Sequence, residues 1–559
     1  VVHEEKIVNL LRSRLQENVL EFSIPQPRRA FILLKDGFHR EAISLLLESY
    51  PSTIISAITG LDINEEIELN YHLWCGEDEV TLRTRVPKSK SDIETITDII
   101  PGATLYEREV FDLLGVNFRG HPDLKRLILP EDWPEGQYPL RKDWNPTLSN
   151  NLQKLTEKPV RIETVQNETG GGSVVNVVLG PQHPALHEPE RFLFKIDGET
   201  VVDVEPRLGY AHKGIEKGAE QLMFFQDVQL IGRICGICNA AHTTCFCQAA
   251  ETLLGVEIPL RAKYLRTVVH ELNRIHSHLL LLGIAGLEVG FESLFQYLWR
   301  DREIVLDLTE KLTGNRIMAE FNTIGGVRRD LSTSLVNEIV KGLNVLEKRM
   351  DFYRKVLKDD PTFALRTKGI GILTKQEALK LSVVGPVARA SALETDVRKH
   401  DPYVAYEEIP FKEIIYKDSD SWARFMVRLE EVHESIDIIK YAVDHLPSGP
   451  YVVRVSRRIP EGEALSRVEA PRGELVHYVK SNGTEYPERV KVRTPTLANI
   501  ISFREMIRGC YVADIPAVLA SLDPCFACTD RMAFVDINNQ SRWVWSMKDI
   551  KEKRGAKKP

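Results

Sequence analysis

The chain has 559 residues, 43% of them apolar and 27% charged, with a net charge of −7 and an isoelectric point near 6.2. That length exceeds what one hydrophobic core organises and predicts two or three domains, while the acidic balance argues against a general nucleic-acid binder, which needs a basic surface to displace counterions. The longest apolar stretch, His278 to Trp299, is broken by Glu288 and Glu292 and reads as a buried helix rather than a membrane span.

Taken in order, Ile7, Leu10, Leu11 and Leu15 recur at helical spacing and predict a helix over 4–15. Strand and helix signals then alternate, with strands at 29–34, 53–58, 66–74 and 80–86 and a helix at 41–48. A helix is predicted over 92–114, interrupted at Pro101-Gly102. Prolines in Pro130 to Pro139 lack amide donors and predict an extended surface arm able to lie on a neighbour. Residues 1–144 thus read as a compact α+β domain. Residues 145–172 lose apolar periodicity and run into Asn167-Glu-Thr-Gly-Gly-Gly-Ser173, a linker by composition.

Beyond the linker, 173–204 predicts a β-hairpin region interrupted by Pro181-Gln-His-Pro184. Helical spacing then dominates at 214–230, 236–254, 261–285, 289–312, 330–358 and 421–445, a bundle of long helices. Strands follow near 464–468, 473–479 and 490–493, and helices at 496–508 and 515–521. The fold class is α+β: an N-terminal α+β domain, then a mainly helical domain with β-hairpin elements over 173–531. Residues 532–559 carry seven Lys/Arg against three Asp/Glu, and their tip is predicted to be disordered.

The amino terminus lacks the charged-then-apolar layout of a secretory signal, so the chain is expected in the cytoplasm, where eight cysteines serve as ligands or buried thiols rather than disulfides. Two C-x-x-C pairs stand out, Arg233-Ile-Cys-Gly-Ile-Cys238 and Asp523-Pro-Cys-Phe-Ala-Cys528. Each pair orients two sulfurs toward one ion, and together they offer four thiolates. A zinc ribbon usually holds its pairs about 15 to 20 residues apart, whereas most of a helical domain separates these. Soft thiolates also suit nickel and iron, and a bridging thiolate permits a binuclear centre. Cys245 and Cys247 would complete a local iron–sulfur set with the first pair, but that leaves Cys525 and Cys528 unexplained, so both are read as structural, as are Cys75 and Cys510. His270-Glu271 lacks the second histidine of a zincin helix, and His276 and His278 read as polar groups on a packed helix.

Arg233 to Cys238 with His242, Glu469-Ala-Pro-Arg-Gly-Glu-Leu475, and Asp523 to Arg531 resemble, in order, three signatures of the nickel–iron hydrogenase large subunit. Gly180-Pro-Gln-His-Pro184, Gly209 to Lys217 and Glu271 to Leu279 resemble the membrane-associated, energy-converting branch, which shares ancestry with the quinone-site subunit of complex I. Glu107 to Gly115, Pro122 to Arg126 and Pro139 to Asp143 resemble the adjoining complex I subunit. The fused order is similar to large subunits of the formate hydrogenlyase type.

The resemblance implies that Cys235 and Cys525 bind nickel terminally and that Cys238 and Cys528 bridge nickel to an iron carrying carbon monoxide and cyanide. It further implies heterolytic cleavage or formation of H2, with Glu188 as the base that takes the proton and Glu216 in reserve. Arg472, after Pro471, is expected over the open metal position, with Asp523 as its carboxylate partner and His242 beside a bridging sulfur. No cysteine set remains for an electron relay, so an iron–sulfur small subunit is implied, along with a ferredoxin-like cluster subunit, complex-I-like membrane subunits and peripheral attachment on the cytoplasmic side of the membrane. A maturation endopeptidase is expected to cut between Arg531 and Met532. The rival functions are a complex-I-like quinone reductase subunit and a non-catalytic assembly subunit.

Overall fold

The computed structural model describes residues 3–130, 133–144, 174–183, 186 and 188–529, together with two short strands, Phe534–Val535 and Arg542–Trp543. The N-terminal region opens with α1 (His3–Leu15), which buries Ile7, Val8, Leu11 and Leu15. Five strands follow, β1 (Val19–Gln26), β2 (Arg29–Leu34), β3 (Ile54–Ile63), β4 (Glu66–Cys75) and β5 (Asp78–Pro87), in the sheet order β1-β2-β5-β4-β3. Only the β2–β5 pair is parallel. Helix α2 (His39–Ser49) contributes Ala42, Ile43 and Leu46 to the same core.

Strands β3 and β4 are buried almost residue for residue. Half-exposed strands alternate, whereas a sheet covered on both faces shows continuous burial. The second cover is the C-terminal region, whose Leu465, Val476 and Tyr478 pack on Phe31 and Leu61.

The helix predicted over 92–114 exists only in its second half. Asp92–Glu94 is a strand (β6) pairing in parallel with Asn117–Arg119 (β7), and α3 spans Thr104–Leu114. Gly115 ends α3 at φ 75°, the left-handed cap that glycine adopts without a Cβ clash. The Tyr138 ring of the proline-rich arm occupies the space a Cβ on Gly115 would need, and just after the arm Leu140 N donates to Leu113 O (3.1 Å) and Arg141 Nε donates to Leu114 O (2.7 Å).

Past the linker, which lies outside the described residues, 174–207 forms three antiparallel strands rather than one hairpin: β8 (Val174–Leu179), β9 (Arg191–Asp197) and β10 (Thr200–Arg207). The predicted helix 214–230 is split into Ile215–Ala219 and Phe224–Gly232, the second opened by a Gln226 side chain that accepts from Met223 N. The bundle is built on the long helix Leu260–Glu288, packed against Glu292–Thr313 and Ser421–Asp444. Among the described residues no helix is long and apolar enough to cross a membrane.

The two regions share one apolar cluster, in which residues of the first sheet meet Phe192, Val387, Phe503 and Phe526. Ion pairs cross the same boundary, among them Lys142–Glu488 at 2.7 Å and Lys491–Glu109 at 2.5 Å.

Candidate metal centre

Cys235 precedes and Cys238 caps the helix Asn239–Leu254, whose N-terminal dipole favours a thiolate. The amides of Ile237 and Cys238 lie 3.3 and 3.4 Å from Cys235 Sγ. From the far end of the chain, the helix Ile515–Leu522 stops at Asp523, whose φ of 58° turns the backbone toward the first pair. This turn delivers Cys525, whose amide donates to Thr496 Oγ1 (3.1 Å) and whose sulfur lies 3.3 Å from Cys235 Sγ. Cys528 falls in the short turn Phe526–Thr529, and its side chain is outside the described set. Among the described residues no group of three His, Cys, Asp or Glu side chains closes a metal site without it.

The third element is the hairpin of strands Gly462–Ala470 and Gly473–Ser481, whose tip is Pro471-Arg472. Gly473 and Gly385 lie backbone to backbone there: a Cβ on Gly385 would collide with Gly473 Cα, so neither position has room for a side chain. The hairpin is held from below by Arg274, which donates to the carbonyls of Glu469 (2.6 Å) and Ala470 (3.3 Å), and by Arg389, which pairs with Glu469 at 2.8 Å. Arg274 and Arg389 belong to a buried ionic group with Glu271, Asp396, Arg398 and Glu431. Such pairs recover little net stability after desolvation, but they fix position.

Arg472 is thereby aimed at the thiols. Its Nε donates to Asp523 O (2.9 Å), its Nη2 pairs with Asp523 Oδ1 (2.7 Å) and its Nη1 donates to Ser277 Oγ (3.2 Å). Burial alone would lower its proton affinity, but Asp523, Cys525, Cys235 and Cys238 hold the guanidinium well above its ordinary range. Burial pushes Asp523 up, opposed by Arg472 and Arg428.

Glu188 accepts from Ala527 N (2.7 Å), and burial raises its carboxyl above the usual range. It shares a cavity of about 330 Å³ with Arg472, Asp523 and Cys525, otherwise lined by apolar side chains such as Leu281, Trp299 and Leu519. His242 lies one helical turn after Cys238; its Nδ1 is 3.3 Å from His477 Nε2, and burial drops it to about 4, so it is neutral. Its Nε2 is buried with no hydrogen-bond partner.

Glu216 is not brought to the thiols. Its carboxylate pairs with Arg489 (2.8 Å) and Lys491 (3.3 Å) and accepts from Val492 N (3.0 Å). Burial pushes Cys245 and Cys247 up to about 12, so both stay protonated in the core. His276 accepts from Arg302 Nε at 3.0 Å and His278 meets Glu431 at 2.9 Å, both as packed polar groups. Sequence reasoning missed Ser277 and Arg428, the latter with Nε 3.6 Å from Asp523 Oδ2. The available signal was Arg424, Arg428 and Glu431, a charged stripe at helical spacing on the buried face of Ser421–Asp444.

The donor types fit a soft metal ion: the Cys235 and Cys525 thiols meet beside a helix N-terminus and a buried guanidinium that also feels Cys238, with a fourth cysteine in the adjoining turn.

Three protein families match parts of the chain: the 30 Kd subunit of respiratory-chain NADH dehydrogenase over 35–149, nickel-dependent hydrogenase over 214–282, and the 49 Kd subunit of the same dehydrogenase over 288–458 and 452–531. The C/D subunit of NADH-quinone oxidoreductase from Phocaeicola vulgatus is 35% identical over 89% of this chain and 98% of its own length. Formate hydrogenlyase subunit 5 of Escherichia coli is 37% identical over 84% of this chain and 82% of its own. Hydrogenase-4 component G of Escherichia coli is 35% identical over 98% and 96%. Among solved structures, a chain of the membrane-bound sulfane sulfur reductase, an archaeal respiratory membrane complex, aligns with a TM-score of 0.62 and 32% identity over 64% of this chain and 99% of its own.

Proposed function

The chain belongs to the oxidoreductase family that unites fused C/D proteins of NADH-quinone oxidoreductase with membrane-bound hydrogenase large subunits, and from that premise we propose that it is a nickel–iron hydrogenase large subunit that catalyses 2H⁺ + 2e⁻ ⇌ H2. One observation carries this reading: one cysteine from each of two C-x-x-C pairs, 290 residues apart, meets the other, with the Cys235 and Cys525 sulfurs 3.3 Å from each other beside the buried Arg472. A quinone reductase or an assembly protein gives no reason for that convergence.

Cys235, Cys238, Cys525 and Cys528 would hold nickel, with Cys238 and Cys528 also on an iron carrying carbon monoxide and cyanide. When bound, the centre supplies heterolytic cleavage of H2. The chain's own part is to place Glu188 where it exchanges a proton with the site, to keep a fixed positive charge at Arg472, and to exclude bulk water with apolar cavity walls. His242, neutral and with Nε2 unpartnered, is suited to donate to a thiolate.

Electrons would come through iron–sulfur clusters of a small subunit and a ferredoxin-like subunit, with complex-I-like membrane subunits anchoring the assembly on the cytoplasmic side. The purified complex is expected to contain about one nickel per chain and to catalyse H2/D2 exchange with solvent. Absence of nickel from fully matured protein would favour the quinone-reductase or assembly reading, which the C/D relatives keep in view.

The cut after Arg531 lies outside the described residues. Intact mass after nickel loading is expected to fall by the Met532 to Pro559 peptide, and an unchanged mass would refute processing there.

A further inference from the structure

The motif Glu107-Arg-Glu-Val-Phe-Asp112 on α3 carries four charges, and three of them are occupied within the first domain. Glu107 accepts from Ile96 N (2.8 Å), Arg108 donates to Lys125 O (3.0 Å) and Arg126 O (2.9 Å), and Asp112 Oδ2 accepts from the amides of Leu127, Ile128 and Leu129 at 3.2, 2.7 and 2.7 Å. Glu109 points the other way. Its Oε1 meets Lys491 Nζ at 2.5 Å across the domain boundary, and Lys491 Nζ lies 3.3 Å from Glu216 Oε1.

Glu109 and Glu216 line a cavity of about 60 Å³ whose other walls include Thr494, Ile234 and Ala527. Ile234 directly precedes Cys235, and the amide of Ala527 is the one that binds Glu188. The cavity therefore begins at the back of the metal site and ends at the first domain. Two polar atoms on residues that line it, Glu109 Oε2 and Thr494 Oγ1, are buried with no hydrogen-bond partner. Buried polar groups of this kind are satisfied by ordered water, and this largely apolar cavity has room for a few molecules beside its polar atoms.

We propose that Glu109, with the water of this cavity, Lys491 and Glu216, relays protons between the metal site and the domain boundary, making the first domain part of the proton path. In each transfer a cavity water gives one proton to the Glu109 carboxylate as it takes one from the neighbouring water, and Glu109 then releases its proton on the far side, so at every link one O–H bond breaks as another forms and no electrons move. Other charged or titratable groups facing the cluster are Arg489, Glu220, Tyr106, His212 and Lys213. Burial raises Glu109, with Lys491 opposing and Glu216 reinforcing, which is the direction a relay carboxyl needs.

The inference rests on the hydrogenase reading, and its test separates the two. In the nickel-loaded complex, Glu109→Gln is expected to lower the exchange of D2 with solvent protons about tenfold and to enlarge the solvent isotope effect, with Glu109→Asp restoring most of the rate. Arg83→Met, which breaks another ion pair across the same boundary (Arg83–Glu463, 2.5 Å), is expected to leave exchange intact. Equal slowing by Glu109→Gln and Arg83→Met, or no slowing by Glu109→Gln, would overturn the relay. The second readout is the infrared difference spectrum of wild type against Glu109→Gln, expected to show a carboxyl C=O band that grows as pH falls; its absence at every pH also overturns the proposal. A wild-type complex without H2 chemistry refutes the hydrogenase reading, and this band then decides on the Glu109 proton site by itself.

Discussion

Changing Glu188 to glutamine is expected to slow H2/D2 exchange by about a hundredfold or more, the scale of a lost general base, while nickel and iron contents hold. Glutamine is nearly isosteric, and its side-chain carbonyl can still accept from Ala527 N, the 2.7 Å contact that positions the carboxylate. What it removes is the site for a proton. Glu188 faces the same cavity as Cys525, Arg472 and Asp523, and burial lifts its proton affinity toward the range where transfer in both directions is feasible. Glu216 cannot substitute, because Arg489 and Lys491 hold it below its usual range against the opposing effect of burial. Exchange near the wild-type rate in Glu188→Gln would sink the assignment, and loss of nickel would recast Glu188 as a structural residue.

The site was legible in the sequence to the extent that its parts are local motifs. Each C-x-x-C announces paired sulfurs, and the long helices announce themselves by period, as the buried Leu265, Val268, Leu272, Ile275 and Leu279 of Leu260–Glu288 illustrate. Partner choice across long separations was not legible. Arg274 reads as a polar position on a helix, yet it holds the carbonyls of Glu469 and Ala470, 195 and 196 residues away. Glu109 likewise sits in a motif whose other charges are local, and its partner Lys491 is 382 residues distant. Asp92–Glu94 failed for another reason: a three-residue strand has too few residues to show a period, and its pairing with Asn117–Arg119 is set by α3 folding back between them.

The same distinction explains why Arg472 should not tolerate lysine. The guanidinium sends three nitrogens in three fixed directions, to Asp523 O at 2.9 Å, Asp523 Oδ1 at 2.7 Å and Ser277 Oγ at 3.2 Å. An ammonium on a flexible stem keeps the charge but has no planar fork to meet all three at once. Asp523 would then lean toward Arg428, whose Nε already stands 3.6 Å from its other oxygen, and the charge over the thiols would move with it. Losing one preorganised donor in a water-excluded site costs roughly 10²–10³ in rate, so Arg472→Lys is expected to fall in that range. The four cysteines are untouched, so nickel should stay bound. Asp523→Asn provides the companion measurement: it keeps a side-chain acceptor for Arg472 but removes the negative charge between two arginines. If Arg472 acts by its position, Arg472→Lys is the slower of the two. A rate unaffected by Arg472→Lys would show that the charge alone suffices, and that the buried scaffold under the hairpin serves folding rather than turnover.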